Sequence, residues 1–143
     1  MEPLSKAYLA AAAGQMGAIS AFLGGFAATF LATLLIAQRP SRAATVTIGL
    51  SAGSAVAFII CVMAATTLGS GVHPEAPPSF NSPGYLRSVQ SLMTLSFLLG
   101  VLSLVGAVGA GGWLRSRRMG WATTALSALG LVAVLFLTVR VGA

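Results

Sequence analysis

Residues 8–37, YLAAAAGQMGAISAFLGGFAATFLATLLIA, decide the fold, because they hold no Asp, Glu, Lys, Arg or His. About 20 residues, rising about 1.5 Å each, cross a hydrocarbon core about 30 Å thick, so an uncharged apolar run of this length reads as a membrane-spanning helix. It is too long for the apolar core of a signal peptide, which predicts a retained first helix. Three more runs follow at 43–68, 89–114 and 119–141, the last uncharged through Val139, with Arg140 near its end, where the guanidinium can reach the headgroups by snorkelling. The expectation is an all-α integral membrane protein, a single domain of four transmembrane helices.

The composition points the same way. The chain of 143 residues is 57% hydrophobic and 7% charged, with a mean hydropathy of +0.93, where soluble domains carry about a quarter charged residues. Abundant Ala and Gly and a preference for Arg over Lys suggest a bacterial inner-membrane protein.

Orientation follows from the basic residues. Arg39 and Arg42 lie in the first connection and Arg115, Arg117 and Arg118 in the third, against Lys6, Arg87 and Arg140 on the other side. Since positive loops stay cytoplasmic, both termini are expected outside. Trp113 and Trp121 bracket the third connection, and Tyr8 and Tyr85 mark the opposite interface. The segment 69–88 carries Pro74, Pro77, Pro78 and Pro83 and reads as an irregular, partly polyproline-like extracytoplasmic loop, with Phe80 returning to the membrane surface. The short first and third connections make two helical hairpins.

The hairpins resemble each other. An offset of 76 residues carries Ser20, Leu23 and Gly24 onto Ser96, Leu99 and Gly100, Arg39 and Arg42 onto Arg115 and Arg118, and Thr47, Leu50, Ser51 and Ala52 onto Thr123, Leu126, Ser127 and Ala128. This is the pattern of a weak parallel repeat.

Helix faces supply the candidate interface. Gly14, Ala18, Ala21, Gly25, Ala28 and Ala32 recur at alternating steps of four and three, and Phe22, Phe26 and Phe30 occupy another face. Small residues let helix backbones approach closely in lipid, so the packing interface is expected at Gly14, Ala18, Ala21, Gly25, Gly49, Gly53 and Gly100. Gly17, Ser20 and Gly24 widen the small surface of the first span, which leaves room for a second copy or another membrane subunit.

Polar side chains within the spans are uncharged. Most Ser and Thr hydroxyls can bond the backbone carbonyl one turn earlier. Gln15, Ser20, Thr94 and Ser96 are candidates for a shallow polar cavity near the outer leaflet. The lone Cys61 has no thiol to pair with, and His73 with Glu75 makes an incomplete metal site. No Ser has an in-span base, and no ionisable group in the spans could carry proton coupling. No catalytic, cofactor or metal site is therefore expected. The arginines Arg39, Arg42, Arg115, Arg117 and Arg118 are topology determinants and candidates for contact with anionic lipids or an acidic partner, with nucleic acid excluded for want of a soluble basic surface. The expected role is a non-enzymatic subunit or scaffold of a membrane complex, in contact with its own copies or another membrane protein. The alternative is an oligomeric passive pore or small-solute transporter.

Overall fold

The computed structural model describes residues 6–37, 41–80 and 82–142, and it is all-helical there. Four helices, α1 (Lys6–Ala37), α2 (Arg42–Gly71), α3 (Pro83–Gly111) and α4 (Arg117–Gly142), are joined in order, with a single 3-10 turn at Gly112–Leu114 between the last two. α1, α2 and α3 are each long and apolar enough to cross a membrane. Arg39 lies outside the described residues.

Helix ends follow local chemistry. Ser41 starts α2, its Oγ accepting the Ala44 N–H at 3.1 Å and its carbonyl the Thr45 N–H at 3.0 Å. Ser116 does the same for α4, its Oγ taking the Met119 N–H at 3.2 Å and its carbonyl the Gly120 N–H at 2.9 Å. α3 opens on Pro83, whose fixed φ suits a first helical position and whose missing N–H costs nothing there.

The α2–α3 connection is shorter than residues 69–88. α2 continues to Gly71 and α3 begins at Pro83. Within the connection, the Ala76 N–H bonds the His73 carbonyl and the Phe80 N–H bonds the Pro77 carbonyl, each at 3.0 Å, so tight turns stand where a polyproline stretch was expected. Phe80 meets Tyr85 edge-on at 5.7 Å.

The buried residues of α2 keep a steady rhythm: Ala44, Thr47, Ser51, Ser54, Phe58, Cys61, Ala65 and Leu68 alternate steps of three and four. α1 answers with Ala13, Ser20, Ala27 and Leu34, one per heptad, and α3 with Met93, Ser96 and Ala107. A repeat averaging 3.5 residues suits left-handed packing of nearly parallel helices. The chain divides into two compact units, one of Met1–Phe26 with Ala55–Gly100, the other of Ala27–Ser54 with Val101–Ala143.

Candidate functional site

In the first unit, Ala13, Cys61, Ala64, Ala65, Leu68 and Met93 form an apolar cluster against which Met16, Leu86, Val89 and Phe97 pack. Glycine sets its tightest points. A Cβ at Gly24 would lie 3.1 Å from the Phe58 Cβ, and one at Gly100 would lie 2.9 Å from the Phe58 ring, so a glycine of α1 and a glycine of α3 bracket one phenylalanine of α2. Phe97 meets the same ring edge-on at 6.2 Å. Gly17 allows a similar approach to Ala65.

A polar chain crosses this seam. The Ser20 hydroxyl donates to Cys61 Sγ at 3.1 Å, and the Cys61 thiol donates to the Met93 carbonyl at 3.4 Å. Ser96 Oγ lies 3.1 Å from the same carbonyl and 2.7 Å from that of Leu92. Ser20, Cys61 and Ser96 are buried. Ser20 and Ser96 of the expected polar cavity are thus taken up in helix packing. Gln15 and Thr94 are exposed instead. Thr94 bonds the Gln90 carbonyl at 3.0 Å and lines, with Gln90, Ser91 and Leu95, a shallow hollow of about 370 Å³.

The stripe Gly14, Ala18, Ala21 and Gly25 faces outward. The inward stripe of α1 lies one residue earlier, through Ala13, Gly17, Ser20 and Gly24, a turn of about 100° around the helix. A Cβ at Gly14 or Gly25 would meet nothing within 4 Å, and the same is true at Gly49 and Gly53 of α2, which are also exposed. Gly14 and Ala18 belong to an open groove of about 330 Å³ completed by Gly17, Val62, Ala65 and Gly69. Phe22 and Phe26 are exposed.

In the second unit the α3–α4 turn is built on glycines. Gly109 faces Ser127, Gly112 faces Thr123 and the Met119 carbonyl, and Gly120 lies under the Trp113 indole. The Thr123 hydroxyl lies 3.1 Å from the Gly109 carbonyl of α3 and 3.0 Å from the Met119 carbonyl of its own helix, donating to one at a time. Trp113 Nε1–H donates to Thr124 Oγ1 at 3.1 Å, and the Trp121 ring lies 5.9 Å away at a tilt of 54°. Arg115, Arg117 and Arg118, which this turn presents, are exposed, as is Arg42 at the start of α2. The sequence placed both tryptophans at an interface; their mutual contact depends on Gly120 and had no signal in spacing.

The Glu75 backbone N–H donates to the His73 side chain at Nδ1, 3.3 Å away. No further His, Cys, Asp or Glu joins them among the described residues. Comparison with known protein families, with characterised proteins and with solved structures finds no match.

Proposed function

We propose that the chain is a four-span membrane protein of two helical hairpins, related as a parallel repeat, that acts without catalysis as a subunit or scaffold of a membrane complex. The observation that carries this reading is the outward stripe Gly14, Ala18, Ala21 and Gly25, beside the open groove on α1 and α2. Helix association in lipid relies on close backbone approach. α1 packs through Gly17 and Gly24, and Gly14 and Ala18 stay exposed beside that contact. The repeat rests on the 76-residue offset, which pairs Gly24 with Gly100, each a point where no side chain could fit without displacing a neighbour. In the proposed topology α4 is the fourth span and both termini are extracytoplasmic in a bacterial inner membrane, in keeping with the arginines of the first and third connections.

Single cysteines placed in the native membrane, in a Cys61→Ser background, test the assembly. Gly14→Cys, Ala18→Cys and Ala21→Cys are expected to crosslink to a second copy or to another polypeptide, identified by mass spectrometry. A yield no higher than that of Phe22→Cys would falsify the interface. The second reading, an oligomeric pore, draws on Gln90, Ser91 and Thr94, polar side chains that share an exposed face of α3 and line a shallow hollow there.

A further inference from the structure

The charge of this chain is segregated. Among the described residues, Lys6, Arg87 and Glu75 belong to the first unit, while Arg42, Arg115, Arg117, Arg118 and Arg140 belong to the second, which holds no Asp or Glu there.

The α3–α4 turn concentrates this excess on a rigid support. Arg117 and Arg118 occupy the first turn of α4, the positive end of the helix dipole, where a cation is least favoured and an anion most. Ser116 takes the Met119 and Gly120 N–H groups, while those of Arg117 and Arg118 have no acceptor within a helix of this geometry. Arg115 precedes them, and its N–H to the Gly112 carbonyl, at 3.3 Å, closes the turn. Trp113 and Trp121 flank the three arginines. Both are partly exposed, and Trp113 is held by Gly120 and Thr124.

We propose that this turn is a binding site for an anionic phospholipid. Arg115, Arg117 and Arg118 hold the headgroup phosphate, the first-turn N–H groups of α4 offer it further donors, and the two indoles contact the glycerol and upper acyl region. Charge complementarity calls for an anion. The paired indoles select a lipid over a soluble acidic protein, because tryptophan settles where an apolar ring and a polar N–H meet the headgroup level. The inference needs the membrane placement of the chain and is independent of the proposed assembly.

The chain's only two tryptophans flank the site, so unaltered protein reports on it directly. In nanodiscs, indole fluorescence is expected to be quenched several-fold more by brominated phosphatidylglycerol than by equally brominated phosphatidylcholine, with the preference falling as salt rises. Each arginine near an anionic surface contributes about fivefold to affinity, so R117Q/R118Q should weaken binding of the anionic lipid by about 25-fold and bring the two quenching curves together. K6Q/R87Q removes the same charge elsewhere and should leave it intact. Equal quenching by both lipids, or equal losses in the two double variants, overturns the proposal. At matched ionic strength, displacement of the lipid by inorganic phosphate or an acidic peptide more completely than by chloride does so too, by assigning the site to a soluble anion.

Discussion

Phe58 shows how single residues set the seam of the first unit. Its ring fits because Gly100 has no side chain, and its Cβ fits because Gly24 has none. Gly100→Ala puts a methyl where the ring already stands and should destabilise the protein by about 1–3 kcal/mol, the usual range for overpacking. Gly14→Ala meets open space in mid-helix and should leave the melting temperature of the detergent-solubilised protein unchanged or raise it by a few degrees, about 0.4–1 kcal/mol; an equal loss in both variants would contradict the packing described. Cys61 is the donor and acceptor at the centre of the Ser20–Cys61–Met93 chain. Hydrogen bonds between membrane helices contribute about 0.6 kcal/mol on average. Cys61→Ala should therefore cost about 1–2 kcal/mol once the lost volume is included, whereas Cys61→Ser keeps both bonds and should retain most of the stability. A serine variant as unstable as the alanine variant would assign Cys61 to packing alone.

Among elements, the α3–α4 hairpin is drawn together at its turn, where Gly109, Gly112 and Gly120 meet side chains of the facing segment. Gly120→Ala would drive a methyl into the Trp113 indole and detach Nε1–H from Thr124. The tilted pair with Trp121 should then lose its near-ultraviolet circular dichroism. Gly130→Ala, in open space on the same helix, should change nothing measurable. The helices themselves were plain in the sequence, because length and lack of charge suffice to mark a span. The rotation of α1 was not. Its stripes Gly14, Ala18, Ala21, Gly25 and Ala13, Gly17, Ser20, Gly24 have the same steps and nearly the same side chains, so composition gives neither a preference. The choice rests on what α2 presents opposite, namely Cys61 for Ser20 and Phe58 for Gly24. The α2–α3 loop was overdrawn for a related reason: Gly69, Gly71 and Pro83 read as helix breakers, yet Pro83 serves as a first residue and the glycines are carried to the helix end.

For the whole molecule, the uncharged spans leave little chemistry to read, and the functional signals that remain are surfaces. The pore reading makes a distinct prediction at this scale: proteoliposomes should pass small solutes or ions, and Gln90→Leu with Thr94→Val should abolish the flux. Tight vesicles at assembly-competent protein density would remove that reading and leave the subunit role. The arginine clusters were visible in the sequence as topology signals, but their segregation into one unit depends on how the chain divides. Helix length has one more consequence. α1, α2 and α3 span 32, 30 and 29 residues, or about 48, 45 and 44 Å, against a hydrocarbon core of about 30 Å. Such helices must tilt, thicken the bilayer around them or lift their ends into the headgroups, each at a fraction of a kcal/mol per ångström of mismatch. In a bilayer, long-chain lipids would relieve this mismatch and short-chain lipids aggravate it, so helices of this length are expected to favour thick patches of membrane over thin ones before any partner is met.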